Sequence, residues 1–261
     1  MKKYLSLSIA EHVIEICCRS ERILSYVEKF FLSEYQQNVD KIIRVDILDN
    51  WDSPFTSYHV SIKKQEDKIT FQRSDYLIES TPDYTSATIQ VHDELALKHA
   101  LMNLYSSYIV HHNWGLLIHS SCAIENGRAH IFAGQSGAGK STAAKLSQPR
   151  ELLSDEATIV KITQDEVTVF DSPFRSELQY TAYQQPCPLA GIHLLYQADR
   201  NRREKLRKPE ALLSLMDKVF YWHHDSTETQ RIMGLLRTLV EKVPAYELHF
   251  RKDPTFWELI S

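Results

Sequence analysis

One glycine-rich segment limits the folds open to this chain more than any other feature. Residues 134–142 read Gly-Gln-Ser-Gly-Ala-Gly-Lys-Ser-Thr, which satisfies the P-loop pattern G-x-x-x-x-G-K-[ST]. Glycines in such a loop let backbone N–H groups point inward around phosphate oxygens without interference from a Cβ atom. The Lys140 ammonium can then reach the β- and γ-phosphates, and the Ser141 hydroxyl can ligate Mg²⁺. The predicted nucleotide-binding residues are Gly134, Gln135, Ser136, Gly137, Ala138, Gly139, Lys140, Ser141 and Thr142.

The sequence around this loop has the expected pattern of strand, loop and helix. Leu116–Ile124 and Arg128–Phe132 read as two strands around the turn Glu-Asn-Gly at 125–127, which is a strong hairpin signal. Thr142–Ser147 reads as the start of a helix, so phosphate would lie near a helix N-terminus. A hairpin that leads directly into a P-loop departs from the common NTPase plan, in which crossover helices join parallel strands.

The rest of the chain suggests two parts. The first part contains a hairpin predicted over Tyr4–Ile9 and Val13–Cys18, a helix over Glu21–Phe31 and further short strands. The apolar helical stretch His92–His111 is interpreted as the link to the P-loop core. We therefore expect a smaller α+β module over residues 1–112 and a P-loop domain over 113–261. Later elements are predicted at Ile192–Tyr196 and Ala245–Phe250 (strands) and at Pro209–Val219 and Ser226–Val240 (helices).

Composition and charge argue against several classes of protein. The chain is 43% hydrophobic and 25% charged with a net charge of −4, so we expect no general attraction to nucleic acid or to anionic membranes. No apolar run is long enough to cross a bilayer, and Glu11 and His12 interrupt the N-terminal stretch before a signal-peptide core develops. The four cysteines lack zinc-site spacing and read as small buried apolar groups in a reducing compartment. A cytoplasmic location is therefore expected.

Two acidic residues, Asp155 and Glu156, follow the P-loop closely enough in the sequence to return beside it. Asp155 lies fifteen residues beyond Lys140, and one helix is enough to return the chain to the neighbourhood of the loop. Phosphoryl transfer uses carboxylates in two ways, one to hold Mg²⁺ and one to accept the proton of an attacking hydroxyl. The alternative is an exposed acidic turn.

Two further polar segments are candidates for the same site. His119 lies on the strand before the P-loop strand, where the alternative is a hydrogen-bonded core histidine. Arg175 and Glu177 follow a strand in a loop that could fold over the nucleotide. Arg175 would then neutralise charge on the transferred phosphoryl group, and a surface ion pair is the alternative.

Taken together, these segments resemble a known family. The succession Ile118–Ser121, Gly134–Ser141 and Leu153–Glu156 is similar to the catalytic domain of HPr kinase/phosphorylase and its shorter relatives, over about residues 115–175. The resemblance implies that Asp155 is the proton acceptor, that Glu156 is the second acid in the metal–phosphate region, and that His119 contacts this centre.

The chain also departs from the family pattern. Glu156 stands where the family has a second aspartate, and Ser176 stands where it has a glycine. No counterpart of the later segment associated with phosphorolysis is found, so a reverse, phosphorylase activity is not implied.

The resemblance implies an α/β P-loop kinase core with a mixed sheet, plus a smaller α+β N-terminal module. It implies transfer of the γ-phosphoryl group of ATP, with Mg²⁺, to a serine of a peptide or small protein, as in small relatives from ribosomal peptide pathways. Homo-oligomers occur among such relatives. The expected catalytic residues are Asp155, His119 and Arg175, and the expected metal ligands are Ser141 and Glu156.

Two other functions stay open at this point. The acceptor could be a free amino acid or another small alcohol, which keeps the chemistry and changes the substrate. A nucleotide-sensing or scaffold module is the alternative from a different class, although such a module does not require a proton acceptor like Asp155. Neither nucleic acid nor a membrane is expected as a partner.

Overall fold

The computed structural model describes residues 3–31, 42–176 and 185–260, which fall into two units. The first unit runs to His112 and also includes Tyr221–Ser226. The second unit contains Asn113–Phe220 and the chain from Thr227 onward. Glu177 lies outside the described residues, so the structure does not bear on its predicted role.

The first unit is built on a mixed seven-stranded sheet in the order β1-β2-β3-β7-β6-β5-β4. Its strands are β1 (Lys3–Ile9), β2 (His12–Cys18), β3 (Ile42–Leu48), β4 (Ser61–Lys64), β5 (Ile69–Arg73), β6 (Tyr76–Ser80) and β7 (Ser86–Val91). The pairs β2–β3 and β3–β7 are parallel, and the other four pairs are antiparallel. The hairpin predicted for the first two strands is confirmed.

Two helices accompany this sheet. α1 (Glu21–Phe31) lies in the connection between β2 and β3, and its buried residues Ile23, Leu24, Val27 and Phe31 recur at helical spacing. α2 (Glu94–His111) packs on β6 and β7. It begins where the Asp93 carboxylate accepts a hydrogen bond from the Ala96 N–H at 2.8 Å, which is the usual role of an N-cap aspartate.

Two strands of eleven residues organise the second unit: β8 (Gly115–Glu125) and β13 (Cys187–Gln197). The remaining strands are β9 (Arg128–Ala133), β10 (Leu152–Ser154), β11 (Ala157–Ile162), β12 (Val167–Phe170), β14 (Arg202–Lys205) and β15 (Ala245–Phe250). The helices are α3 (Lys140–Leu146), α4 (Lys208–Met216), α5 (Ser226–Lys242) and a 3-10 helix at Pro254–Leu259.

Five strands of this unit close on one another as a ring. β8 pairs with β11 through residues 115–119 and with β9 through residues 120–125. β13 pairs with β12 at its start and with β9 farther along, and pairing of β11 with β12 completes the ring. β10 adds to β8, while β15 and then β14 add to β13. The two long strands therefore belong both to the ring and to a mixed sheet.

The expected fold class, an α/β P-loop kinase core with a smaller α+β module, is wrong. The described residues form mostly strands, as a closed five-stranded ring and mixed sheets with few helices. The reason lies in the connections: short turns join β8 to β9 and β11 to β12, and such turns impose antiparallel pairing, whereas an α/β core needs a crossover helix between parallel strands. Asn126 and Gly127 both have positive φ in the first turn, so the predicted hairpin itself is confirmed.

The cysteines and the helices bear on two expectations drawn from composition. All four cysteines are free thiols, and Cys18, Cys122 and Cys187 are buried, as expected for small apolar groups. Among the described residues, no helix combines the length and the apolar character that a membrane span requires.

An aromatic cluster packs behind the glycine-rich loop. Phe250 at the end of β15 and Phe256 and Trp257 of the 3-10 helix are buried against Phe132 of β9 and the small residues of α3. The ring centroid of Phe256 lies 5.7 Å from that of Phe132 and 5.7 Å from that of Phe250, both near edge-to-face. This packing holds α3 against the sheet, so both ends of the loop between β9 and α3 are fixed.

We expect Phe256→Ala to lower the free energy of unfolding by about 3–5 kcal/mol, because it opens a cavity at a fully buried position (0% exposed). The matched change Phe30→Ala, on α1 at 44% exposure, should cost less than about 1 kcal/mol. Urea denaturation of both variants provides the comparison. Equal losses in the two variants would contradict the assigned role of the cluster.

Candidate functional site

The glycine-rich loop, residues 134–139, joins β9 to α3. Gly139 has a φ of 109°, and a Cβ atom at this position would lie 2.7 Å from Cζ of Phe250. Backbone conformation and packing therefore both require glycine here. The loop is closed by the Ala138 N–H, which donates to the Gln135 carbonyl at 3.1 Å, and by the Gln197 side chain of β13, which donates to the Gly137 carbonyl at 2.7 Å.

The Lys140 side chain turns back onto this loop. The residue is 9% exposed, and its ammonium donates to the carbonyl oxygens of Gly134 and Gln135, each at 3.1 Å. Both acceptors are neutral, and burial lowers the pKa of Lys140, with a further contribution from the positive charge of Lys218. The loop thus presents a cation whose hydrogen-bond partners here carry no negative charge.

A second buried lysine shares the same environment. Lys218 follows α4, is 8% exposed and forms an ion pair with Asp217. Its carbonyl accepts a hydrogen bond from the His119 N–H at 2.7 Å, which attaches the end of α4 to β8. Because Lys218 and Lys140 repel each other, an anion between them would be favoured.

Two cavities flank the loop. One, of about 580 Å³, is lined by the loop, the end of β13 and the end of α4: Gly134, Gln135, Ser136, Gly137, Ala138, Leu194, Leu195, Tyr196, Gln197, Leu213, Ser214, Asp217 and Lys218. The other, of about 500 Å³, is lined by Gly139, Thr142, Gln197, Ala198, Asp199, Phe250, Arg251 and Lys252. Gln197 lines both cavities. Volumes of this size are typical of small-molecule sites.

Asp155 and Glu156 occupy the junction between β10 and β11, and both of these strands pair with β8. Asp155 is 3% exposed, and its carboxylate accepts two hydrogen bonds from Ser176, from the N–H at 3.0 Å and from Oγ at 2.8 Å. Glu156 is half-buried, and its carbonyl accepts from the Ser120 N–H at 3.1 Å. The exposed acidic turn, which was the alternative interpretation, does not describe Asp155.

The register of β8 brings the predicted residues together. His119 lies opposite Ala157, directly after the two carboxylates. Ser120 lies opposite Ala133, the residue that precedes the loop. The Ser121 hydroxyl donates to the Lys140 carbonyl at 3.0 Å, which attaches the start of α3 to the same strand.

The His119 imidazole is neutral at pH 7. Its pKa falls from the ordinary 6.5 to about 4, mainly because burial disfavours the charged ring. Lys140 lowers the pKa further, Glu156 raises it and Lys218 lowers it. Both lysines and the second acidic residue therefore influence the charge of this ring, whose centroid lies 5.3 Å from that of Phe220.

Arg175 forms an ion pair within its own loop. Its guanidinium contacts both carboxylate oxygens of Asp171, at 3.2 and 2.9 Å, and donates from Nε to the Ser172 carbonyl at 3.2 Å. Arg175 therefore stabilises the conformation of residues 171–176, and Ser176 at the end of this segment contacts Asp155.

The structure also describes the positions of the remaining loop residues and of the residues predicted to bind a metal. Gln135 and Ser136 are exposed at the first cavity, Thr142 lines the second, and Ser141 is exposed on the first turn of α3. Within residues 3–31, 42–176 and 185–260, no group of three or more His, Cys, Asp or Glu side chains could hold a metal ion. Ser141 and Glu156 would thus supply only part of a coordination shell.

Comparison with known proteins identifies a family. The family model described as "ScmC: SynChlorMet cassette protein ScmC" matches residues 84–261, which is more than half of the chain. The chain belongs to the ScmC family. A search of curated proteins found no match.

The ScmC match corrects the resemblance to HPr kinase/phosphorylase, which is wrong as a family assignment. The matching model is that of a different family and extends from β7 to the end of the chain. The resemblance was based on three short segments, and a P-loop with nearby acidic residues is a local solution to phosphate chemistry that unrelated families share. Such segments cannot identify a family.

Sequence reasoning missed three residues that this ScmC-family site brings together: Lys218, Gln197 and Ser176. Lys218 falls within the helix predicted over Pro209–Val219, and Gln197 directly follows the strand predicted over Ile192–Tyr196. Ser176 differs in the sequence only by standing where the HPr kinase/phosphorylase pattern has a glycine. No local pattern marks these positions, because their contacts depend on strand pairing and on the return of distant segments.

We expect His119 to titrate near pH 4 in NMR spectra of its ring protons, and Lys218→Met to raise the pKa of His119 because a nearby positive charge is removed. Lys242→Met removes an exposed lysine of the same unit and should leave the His119 pKa unchanged. Since the unfolded ring titrates near 6.5, this group should also lower the free energy of unfolding as the pH falls from 6.5 toward 4. A His119 midpoint near 6.5 would contradict the geometry.

Proposed function

We propose that this chain is an ATP- and Mg²⁺-dependent phosphotransferase that transfers the terminal phosphoryl group to a serine hydroxyl of a peptide or small protein. The observation that carries the proposal is the glycine-rich loop with the buried Lys140 ammonium held on two neutral carbonyls. The family name itself, a cassette protein, specifies no reaction. The argument therefore depends on the chemistry of the site.

The charge of the site supports a polyphosphate ligand. Lys140 and Lys218 are both buried and repel each other, and a phosphate chain offers several anionic oxygens that can interact with both. Lys140 would exchange its two carbonyl acceptors for phosphate oxygens. A hydrogen bond between the ammonium and an anionic oxygen is stronger than one to a neutral carbonyl. This gain would favour a triphosphate over a neutral ligand.

The shape of the site supports a ligand larger than phosphate alone. Residues of the loop line both cavities, and the two cavities share Gln197. Each is large enough for part of a nucleotide, and together they provide polar, charged and apolar lining residues such as Asp199, Arg251 and Leu213. A nucleoside on one side of the loop with phosphates in the loop is compatible with these volumes.

Asp155 supports the second half of the proposal, activation of an alcohol. Its buried carboxylate accepts a hydrogen bond from a serine hydroxyl in the structure, at 2.8 Å. The same geometry on an acceptor serine would orient the oxygen for attack and provide a base for its proton. His119 is neutral, so its ring adds no positive charge that would hold the proton back from Asp155.

The oxygen ligands fit Mg²⁺. This ion prefers oxygen donors, keeps several waters and is usually bound by one or two carboxylates together with substrate phosphates. The Ser141 hydroxyl and the Glu156 carboxylate match that pattern, and a cage of three acidic or histidine side chains is not required. When bound, the ion would neutralise charge on the phosphates during transfer.

We expect Lys140→Ala to weaken binding of a fluorescent ATP analogue by about 10- to 100-fold, because a hydrogen bond between charged groups is lost. Lys145→Ala removes an exposed lysine from the same helix, α3, and should bind like the unsubstituted chain. Binding that survives Lys140→Ala unchanged would refute the phosphate site.

We expect Asp155→Asn to bind the analogue normally and to slow phosphoryl transfer by about 100- to 10,000-fold, because the proton acceptor is removed. Transfer is measured with γ-labelled ATP and Mg²⁺, offered with serine-containing peptides and, separately, with free serine. If only free serine is labelled, the acceptor is a small alcohol and not a peptide. Nucleotide binding without transfer to any acceptor would instead favour a sensor.

A further inference from the structure

We infer that Ser176 is an internal phosphoacceptor, a site at which the chain phosphorylates itself. The inference rests on the proposed function and extends it, because it names a first acceptor within the chain. Its basis is the contact between the Ser176 hydroxyl and the buried carboxylate of Asp155.

The segment before Ser176 is held in place at several points. The Ser172 N–H donates to the Leu153 carbonyl at 2.9 Å, which attaches the segment to β10, the strand that leads into Asp155. Phe174 is fully buried. The Arg175 guanidinium binds the Asp171 carboxylate, and the Arg175 N–H donates to the Pro173 carbonyl at 2.9 Å. These contacts stabilise one conformation of the segment that precedes Ser176.

Ser176 itself has the geometry of an acceptor. Both of its hydrogen-bond donors are directed at Asp155, Oγ at 2.8 Å and the backbone N–H at 3.0 Å on the other carboxylate oxygen. The residue is exposed as a whole, whereas the carboxylate below it is buried. An incoming phosphoryl group could thus approach Oγ from the open side while Asp155 holds the hydroxyl proton.

The reaction balances with a nucleoside triphosphate as the only co-reactant. A bond forms between Ser176 Oγ and the γ-phosphorus, and the bond from that phosphorus to the β,γ-bridging oxygen breaks. The bonding electrons leave with the nucleoside diphosphate, and the hydroxyl proton passes to Asp155 and then to water. Ser176 becomes a phosphoserine, with no oxidant or reductant involved.

The test uses the full chain incubated with Mg·ATP, followed by intact-mass measurement and mapping of the modified peptide. The expected result is one phosphoryl group per chain, on Ser176, with a rate constant that does not change when the protein is diluted. Ser176→Ala should abolish this modification. Ser57→Ala, which removes an exposed serine of the first unit, should leave it intact. Asp155→Asn should slow it by at least about 100-fold.

The outcomes separate this inference from the proposed function. If the chain binds ATP and phosphorylates an added acceptor while Ser176 stays unmodified, the inference is overturned and the proposed function stands. Modification that maps to other residues, or that persists in Ser176→Ala, also overturns it. If ATP neither binds nor is consumed, both fail together.

Discussion

The second unit depends on one constraint: β8 pairs with different partners along its length. Residues 115–119 pair with β11, and residues 120–125 pair with β9. Because the change of partner occurs between His119 and Ser120, the carboxylate junction and the start of the glycine-rich loop are brought to the same part of one strand. His119 and Ser121 lie two residues apart on the same face of β8, so a shift of this register by one residue would turn both side chains to the other face. The pairing of β8 thus places His119, the carboxylate junction and the start of the glycine-rich loop near one another.

The electrostatics of the site follow from what this pairing buries. Lys140 and Lys218 are both buried. Burial lowers the pKa of Lys140 and of His119, the charge of Lys218 lowers both further, and the charge of Lys140 also lowers that of His119. A site of this kind is preorganised for negative charge, since the cost of bringing the cations together is met on folding. Asp155, at the junction between β10 and β11, accepts a hydrogen bond from the Ser176 hydroxyl.

Features encoded within a few residues could be predicted from the sequence, and features that depend on distant pairing could not. The turn at Asn126-Gly127 and the α1 stripe are local, so the first hairpin of the second unit and that helix were predicted correctly. The ring was not, because closure depends on β13 returning beside both β9 and β12. The loop residues and Asp155 could be recognised from the sequence, whereas Lys218 is attached to β8 by a hydrogen bond that the His119 N–H donates to its carbonyl.

Ring closure also determines where this unit could add strands from another molecule. Within the described residues, the free edges of the eight-stranded arrangement are β10 and β14. β10 has only three residues, and β14 consists of Arg202, Arg203, Glu204 and Lys205. A very short strand offers few backbone groups to a neighbour, and a strand of charged side chains repels apolar partners. The unit can therefore be rich in strands and still resist edge-to-edge aggregation.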